Sequence, residues 1–536
     1  HFDETGRRNK LRARTCLGGM VTAPHHLAAE AGAGVLREGG NAIEAMIAAA
    51  AAIAVVYPHL NGIGGDGFWL VSHSGEPPVG IQACGRAAGM ADRTFYTSHG
   101  ETSIPTRGPC AALTVAGAIG GWSEAKRLAE ETGGSFPISR LLEPAIHYAL
   151  EGFPVSSSQA RLTSEKWEEL HTVPGFTETF AAGGPPIEGF ILTQKLLAES
   201  LKRLAATGLD DFYRGDLARA LAAGLESAGS PLRLNDLEAY QPRRVAPAQT
   251  RFKSGHLYNM PPPTQGISSL MILKIFEAMD IQQAEGFEHV HALVEATKRA
   301  FLLRNAHVGD PVQMGDQWKS WLSNEMIAKE AAVIDMKSAA PWPPPAKPGD
   351  TIWMGAADRD GNVVSYIQSI FWEFGSGLVV PQTGILWQNR GASFTLEPGP
   401  NELAPGRLPF HTLNPAMARL DDGTNLAYGT MGGEGQPQTQ SAIFSRHVFF
   451  GQDMQEAVTA PRWLLGRTWG ETSTNLKLEN RFDSRIVEQL RSAGHDVQVV
   501  DAYEDKMGHA GMVSIGPDGV IRAATDPRSD GSCASL

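Results

Sequence analysis

Thr351 is the residue of this chain whose setting points most clearly to chemistry. It opens a predicted strand, 351–357, directly after a proline-rich segment, 339–350, that ends in Gly349-Asp350 and that we expect to be an exposed linker. A threonine hydroxyl needs a base, and an N-terminal threonine can use its own α-amine. A self-cut between Asp350 and Thr351 would create that amine. On spacing alone, an ordinary strand residue remains the commoner interpretation of Thr351.

The glycine cluster at 62–67 matches a dinucleotide-binding fingerprint in its letters but not in its context. That fingerprint follows a strand and opens a helix, because the pyrophosphate rests on the helix N-terminus. Here an alanine-rich helix comes first, and a strand beginning at Phe68 follows the cluster. We therefore predict a structural glycine turn rather than a dinucleotide site.

Other motifs of metal or cofactor chemistry are weak. The sequence has no Gly-Lys pair for a phosphate loop, no His-Glu-x-x-His and no Gly-x-Ser-x-Gly. His289 and His291 point to different sides of a predicted helix, which favours one surface and one core histidine over a metal site. Residues 358–362 lack the remaining ligands of a calcium loop and predict a hairpin turn. We expect no metal and no cofactor.

The spacing of hydrophobic residues predicts the helices and strands that must position these residues. Residues 21–57 predict two helices divided at Gly39-Gly40, with Asn41 as an N-cap. Further helices are predicted over most of 115–230 and at 286–304, and hairpins at 351–371 and 512–523. The apolar run 45–57 is too short for a membrane span and favours a buried helix.

Charge and cysteine usage exclude several classes of protein. The chain has 46 basic and 58 acidic side chains, a net charge of −12, and no basic tract beyond a short arm at 7–14, so we expect no nucleic-acid partner. The cysteines (Cys16, Cys84, Cys110 and Cys533) form no Cys-x-x-Cys, which fits a reduced, cytoplasmic setting. Because the chain starts at His1, we expect that the native N-terminus is missing; a periplasmic location stays open if a signal peptide was trimmed.

A series of short motifs runs from about residue 18 to the C-terminus. They lie at residues 18–21, 36–42, 62–68, 212–215, 260–264, 309–311, 351–362, 374–377, 431–433 and 526–528. In content and order these motifs resemble the γ-glutamyltranspeptidase family of N-terminal-nucleophile hydrolases. The resemblance implies an α+β fold, a four-layer αββα sandwich. It also implies a cut between Asp350 and Thr351 into a large subunit, 1–350, and a small subunit, 351–536, which together form one globular heterodimer; higher oligomers stay open.

The resemblance also implies roles for individual residues. Thr351 Oγ would attack an amide carbonyl while its freed amine moves the proton. Gly432 and Gly433 match the family's oxyanion hole, where backbone N–H groups stabilise the tetrahedral intermediate. Ser369 falls where the family has a threonine that supports the nucleophile. Arg86 matches the arginine that clamps the substrate's α-carboxylate, a bidentate task that suits a guanidinium group.

The chain departs from the family where the family holds the glutamyl α-amino group. Phe371 stands where the family has Asn, Arg390 where it has Gln or Glu, and Ser393 where it has Asp. His411-Thr412 replaces a Ser-Ser pair. An ammonium group needs acceptors, which Phe371 and Arg390 do not offer. The site therefore suits a small anionic amide without an amine, held by Arg86 with Arg390, His411 or Thr412. Sequence alone leaves open whether Arg390 or His411 faces the substrate.

Four segments, 371–373, 387–390, 409–415 and 432–438, look like the oxamate amidohydrolase branch of the family. That branch splits oxamate into oxalate and ammonia in purine-nitrogen breakdown, so we expect a self-processing amidohydrolase that acts on oxamate, with no membrane partner. Three alternatives remain: a γ-glutamyl hydrolase or transferase, a glutaryl (cephalosporin-type) acylase, and a binding paralogue that never cuts itself.

Overall fold

The chain is described by a computed structural model that covers residues 11–74, 76–342, 350–466 and 473–536. Residues 343–349, most of the predicted proline-rich linker, lie outside the described residues. None of the helices within those ranges is long and apolar enough to cross a membrane.

The described residues form runs of helices and runs of strands. The strands are β1 (Arg14–Cys16), β2 (Gly19–Ala23), β3 (Asp66–Ser72), β4 (Val79–Ala83), β5 (Phe153–Pro154), β6 (Ile191–Leu192), β7 (Arg243–Val245), β8 (Ala248–Phe252), β9 (Gly255–Asn259), β10 (Asp350–Asp358), β11 (Val363–Phe371), β12 (Val379–Val380), β13 (Ile385–Leu386), β14 (Ala416–Leu420), β15 (Asn425–Thr430), β16 (Trp463–Leu465), β17 (Leu476–Glu479), β18 (Val497–Val500), β19 (Ala510–Ile515), β20 (Ile521–Thr525) and β21 (Ser532–Ser535). The helices are α1 (His26–Arg37), α2 (Ala42–Val56), α3 (Arg93–Ser98), α4 (Ala118–Glu131), α5 (Ile138–Glu151), α6 (Ser157–Glu165), α7 (Trp167–Leu170), α8 (Phe176–Phe180), α9 (Lys195–Thr207), α10 (Asp211–Arg214), α11 (Asp216–Ala228), α12 (Leu234–Glu238), α13 (Gly266–Ala278), α14 (Phe287–His307), α15 (Pro311–Met314), α16 (Asn324–Ala332), α17 (Gln436–Phe444), α18 (Met454–Thr459) and α19 (Ser484–Ser492).

Two seven-stranded antiparallel sheets form the centre of the fold. One, which we call the Thr351 sheet, has the order β21-β2-β10-β11-β3-β4-β7, and the other, the facing sheet, has the order β1-β20-β19-β15-β14-β9-β8. Apolar side chains such as Phe68, Trp353 and Val513 pack between them. Helices α1, α2 and α4 cover the outer face of the Thr351 sheet, and α13, α17 and α18 cover that of the facing sheet. The predicted α+β class is confirmed, with two antiparallel sheets sandwiched by helices.

Both sheets mix strands from the two sides of the predicted cut. In the Thr351 sheet, β10, β11 and β21 follow the cut and pair with β2 and β3, which precede it. In the facing sheet, β14 pairs with β9 and β20 pairs with β1. Neither 1–350 nor 351–536 therefore contains a complete central sheet.

The two helices predicted within 21–57 are present, but the predicted start of the first helix is wrong. Asn41 caps α2 in a capping box with Glu44, and all of α2 is buried. Residues 21–23, however, belong to β2, and α1 begins only at His26. Val21 and Thr22 are β-branched residues that favour a strand, and β2 is buried beside β10.

The predicted hairpin after Thr351 is confirmed. Strands β10 and β11 pair antiparallel, and Asp358 Oδ1 accepts hydrogen bonds from the N–H groups of Asp360 and Asn362, each at 3.0 Å. The other carboxylate oxygen accepts from the N–H group of Ala42 at 2.7 Å. Asp358 thus fixes the turn and joins it to the first turn of α2.

The expectation of one surface histidine on α14 is wrong, because His289 and His291 are both buried. The helix is covered on several sides by α13, α16, α17 and α19. His289 Nε2 lies 2.9 Å from Ser445 Oγ, and His291 Nδ1 lies 2.8 Å from His495 Nε2.

Candidate active site

Thr351 lies at the start of β10 and faces the space between the two sheets. Its side chain is fully buried. In the same strand, Trp353 belongs to the core between the sheets, whereas Ile352 and Met354 pack towards the helices. Successive side chains of a strand point to opposite faces, so Thr351 shares the face of Trp353.

Ser369 lies next to Thr351 on the neighbouring strand. The pairing of β10 with β11 has a register irregularity here, so that the single residue Thr351 lies opposite both Ser369 and Ile370. Bulges of this kind re-aim side chains and are frequent beside active sites. Ile367, two residues before Ser369, belongs to the inter-sheet core, so Ser369 faces the same space as Thr351.

Phe371 ends β11 in an unusual backbone conformation. Its φ is +82°, which for a bulky side chain is an outlier that surrounding contacts must hold in place. The N–H group of Phe371 donates to Ser369 Oγ at 2.8 Å. The following N–H group, of Trp372, donates to Asn389 Oδ1 at 3.0 Å. The strained turn therefore joins Ser369, beside Thr351, to the 387–390 segment.

The predicted oxyanion loop follows β15 of the facing sheet. Gly432 and Gly433 have φ values of +118° and +51°, a backbone region that glycine adopts most readily. Within the described part of the chain, neither of their N–H groups donates to a protein acceptor. Two adjacent amide donors without protein partners are what an oxyanion hole requires.

Gln265 fastens this loop to the predicted substrate-binding segment. Its Nε2 donates to the carbonyl oxygens of Gly433 and Thr412, both at 2.8 Å. Arg304 orients the amide, because its Nη1 donates to Gln265 Oε1 at 2.7 Å while its Nη2 donates to Glu434 Oε2 at 2.8 Å. All of these side chains are buried. Sequence reasoning missed Gln265 and Arg304; the only signal was that Gln265 directly follows the 260–264 motif.

Arg390 is a buried cation, and part of its guanidinium group has no hydrogen-bond partner among the described residues. It is 1% exposed, its Nη1 donates to Thr412 Oγ1 at 3.2 Å, and its Cζ lies 3.8 Å from the centre of the Phe371 ring. Among the described residues, no acceptor lies within hydrogen-bond distance of its Nε or Nη2. Burial lowers the pKa of Arg390 to about 9, which leaves it cationic at neutral pH.

His411 lies beside Arg390 and is fully buried. Its ring packs against the edge of Phe68 with the ring centres 5.0 Å apart. Neither ring nitrogen has a hydrogen-bond partner among the described side chains and backbone groups. Burial, helped by the charge of Arg390, lowers the pKa of His411 well below its usual value, so the imidazole is neutral at physiological pH.

Asp66 completes this cluster and was not singled out by the sequence. It lies directly opposite Ser369 in the pairing of β3 with β11, and its Oδ2 is 3.5 Å from His411 Nε2. Oδ1 accepts from the N–H groups of Gly117 at 3.0 Å and Gly85 at 3.3 Å. Burial raises the pKa of Asp66 to about 7, against the opposing effect of Arg390. An acidic residue inside a glycine cluster was the signal that could have revealed it.

Arg86 lies apart from Arg390, at the rim of a cavity of about 350 Å³. Its side chain is 37% exposed, and its Nη1 donates to the Gly406 carbonyl oxygen at 2.8 Å and lies 3.5 Å from Asp310 Oδ2. The cavity walls include Cys84, whose thiol is within electrostatic range of both arginines. The structure thus brings Arg390, His411 and Thr412 together and sets Arg86 at an outer wall with other partners.

Ser393 closes the short 3-10 turn Arg390–Ser393. Its Oγ is shielded from solvent and has no hydrogen-bond partner in the described ranges. A hydroxyl group carries no charge, so Ser393 offers no anionic group to attract an ammonium group.

Comparisons with known proteins identify the family of the chain. Residues 28–536 match the gamma-glutamyltranspeptidase family. The chain is 51% identical over 519 residues to the oxamate amidohydrolase proenzyme of Klebsiella pneumoniae, covering 96% of this chain and 98% of that one. It is 39% identical over 522 residues to the glutathione hydrolase-like YwrD proenzyme of Bacillus subtilis, with 96% and 98% covered. The crystal structure of a cephalosporin acylase from Bacillus halodurans superposes with a TM-score of 0.90 at 33% identity, covering 100% of this chain and 99% of that one. The chain belongs to the gamma-glutamyltranspeptidase family.

Proposed function

We propose that the chain is a proenzyme that cuts itself between Asp350 and Thr351 and then hydrolyses oxamate to oxalate and ammonia. The two fragments, 1–350 and 351–536, stay together as one globular heterodimer with the four-layer αββα architecture of N-terminal-nucleophile hydrolases. The interleaved strands of both central sheets support this view, because each fragment alone would expose unpaired strand edges.

The observation that carries the substrate proposal is the buried Arg390. A buried cation with two unused N–H donors is costly unless an anion satisfies it. Arg390 lies against Thr412, which Gln265 ties to the oxyanion loop, so a carboxylate bound by Arg390 is held close to the reacting carbonyl. In oxamate the carboxylate and the amide carbonyl are bonded directly to each other.

The proposed reaction follows from these positions. Thr351 Oγ attacks the amide carbonyl as the α-amine of Thr351 takes the hydroxyl proton. The N–H groups of Gly432 and Gly433 stabilise the oxyanion, and Ser369 supports the nucleophile. The amine returns the proton to the departing nitrogen, ammonia leaves, and an oxalyl ester of Thr351 remains. Water then attacks the ester by the same route and releases oxalate.

A γ-glutamyl substrate fits the site poorly. The ammonium group of that substrate would meet the Phe371 ring and the cationic Arg390, which repels it. Like charges in a buried site repel strongly, because little water screens them.

A glutaryl-type acylase is the second candidate, and the cavity at Arg86 favours it. A space of about 350 Å³ is larger than oxamate needs, and Arg86 at its rim suits the far carboxylate of a longer acyl chain. The structural likeness to a cephalosporin acylase supports the same view.

Two measurements test the proposal. On a denaturing gel, two bands that add up to 57.4 kDa are expected, with Thr351 as the N-terminal residue of the smaller fragment. A single band of full size would support the uncut binding paralogue. The purified protein should then release ammonia from oxamate faster than it cleaves a γ-glutamyl anilide or a glutaryl amide. The reverse order of rates would overturn the oxamate assignment.

A further inference from the structure

Three neighbouring side chains of the candidate site share an unusual property. Arg390 Nε and Nη2, both ring nitrogens of His411, and Asp66 Oδ2 are buried, and within the described residues none has a hydrogen-bond partner. Buried polar atoms are almost always paired, so a cluster of exceptions indicates that a ligand completes the pairing. The donors of Arg390 call for a carboxylate. Asp66 Oδ2, as an anion, would repel that same carboxylate.

The charges of the three side chains show why a bound carboxylate is unfavourable beside an anionic Asp66. Without a ligand, the Arg390 cation balances the Asp66 anion, and His411 is neutral. An entering carboxylate leaves the buried site with a net negative charge, which is unfavourable where solvent is excluded. The uptake of one proton would restore neutrality.

Asp66 is the group placed to take that proton. Its Oδ1 accepts from the N–H groups of Gly85 and Gly117, whereas Oδ2 has no hydrogen bond from the described residues and lies 3.5 Å from His411 Nε2. The nearby Gln388 side chain favours the charged carboxylate and opposes the effect of burial. The burial that raises the pKa of Asp66 to about 7 means that the proton is gained at little cost near neutral pH.

The other titratable groups around Asp66 keep their charge near pH 7. Burial raises the pKa of Cys84 and of the tyrosines, and these groups stay neutral (Tyr213, Tyr240 and Tyr366). Arg86 and Asp310 form an ion pair beyond Cys84. His411 and the α-amine of Thr351, once freed, are further candidates, and the experiment must separate them from Asp66.

We infer that Asp66 takes up a proton from solvent when a small carboxylate ligand enters this pocket, and that it binds the ligand as a neutral acid beside the cationic Arg390. Asp66 is then a specificity-determining residue, because it makes the pocket accept an anion only together with a proton. The inference rests on the proposed function for the class of ligand alone, and it does not require that oxamate be turned over.

The test is calorimetry on the matured protein with formate, acetate and propionate, each of which carries a single negative charge and has no amide to hydrolyse. Titrations in two buffers of different ionisation heat give the number of protons taken up. With a free pKa of about 7, we expect about half a proton per ligand at pH 7 and about 0.9 at pH 8. The sign follows from linkage: binding raises the proton affinity, so Kd increases about tenfold between pH 6 and pH 8.

Asp66→Asn separates Asp66 from His411 and the α-amine, because asparagine resembles the neutral acid. The variant should bind with the low-pH affinity of the native protein, without proton uptake and without pH dependence. Continued uptake in Asp66→Asn, or binding weakened more than about tenfold at pH 6, overturns the inference.

Infrared difference spectra of the unaltered protein give a second measurement that needs no variant. Ligand binding at pH 8 should produce the band of a protonated carboxyl group. A missing band, or failure of all three monocarboxylates to bind, overturns the inference. Oxamate turnover is assayed separately, so loss of the proposed substrate and loss of the proton uptake are distinguishable.

Discussion

The guanidinium carbon of Arg390 lies 3.8 Å from the centre of the Phe371 ring, and Phe371 has a φ of +82°. The strained backbone of one residue thus supplies the aromatic face on which the other rests. A cation over an aromatic ring gains about 2 kcal/mol or more when it is desolvated. Phe371 therefore holds the planar group of Arg390 in one orientation while leaving two of its N–H donors unused.

This relationship predicts that Arg390→Lys will not preserve function. Lysine has a point charge in place of a planar fork, so it loses the geometry for a carboxylate although the charge is kept. We expect KM for oxamate to rise about 10- to 100-fold with a smaller change in kcat, since a bidentate pair contributes on the order of 1.5–3 kcal/mol. Steady-state kinetics measure this. Arg86→Lys is the matched control and should raise KM less; the opposite order would identify Arg86 as the principal carboxylate ligand.

Thr351→Ala should abolish both self-cleavage and amide hydrolysis, because the hydroxyl group is proposed to serve in both. Thr351→Ser keeps a hydroxyl group and should still be cut, more slowly, with some turnover left. Gel electrophoresis over time and an ammonia assay report the two steps. Cleavage of Thr351→Ala at the native position would contradict the self-cutting role.

Gln265 should affect turnover more than substrate binding. Gln265→Leu removes both hydrogen bonds that tie Gly433 to Thr412 and leaves buried Arg304 without one acceptor. A displaced oxyanion donor costs on the order of 100- to 1,000-fold in kcat. We expect a fall in kcat of at least tenfold with KM changed less than threefold, measured on variant protein that has matured. An equal change in both constants would indicate a general loss of structure.

Gly64 is predicted to tolerate no side chain. A Cβ atom there would lie 2.1 Å from the carbonyl oxygen of Leu386, so Gly64→Ala must displace backbone of the segment that carries Arg390. We expect a loss of stability of about 2–4 kcal/mol in thermal unfolding of the uncut chain. Gly286→Ala is the control, since its Cβ meets nothing within 4 Å and its φ is −105°. Similar melting temperatures for the two variants would refute this prediction.

The sequence predicted the local features well, because local patterns determine them. Asn41 marked the start of α2 as an N-cap, and the turn residues at 358–362 between two apolar runs indicated the β10–β11 hairpin. The predicted family is confirmed by the match over residues 28–536. The assigned roles of Thr351 and Arg86 remain predictions.

The features that were missed depend on contacts between distant parts of the chain. Gln265 binds Gly433, 168 residues further along the chain, and Asp66 lies beside His411, which is also distant in sequence. No spacing rule within one segment reports such a pair. The burial of both His289 and His291 was missed for the same reason, because the helices that cover α14 come from either side of the predicted cut.

The mixing of strands in both central sheets affects how the protein refolds after it has unfolded. Before the proposed cut, unfolding and refolding concern one chain and do not depend on concentration. After it, each sheet needs two separate chains, so refolding becomes a second-order reaction that slows with dilution. The mature form would then stay folded because it unfolds slowly, not because it refolds readily. Its lifetime would be set by the rate of unfolding.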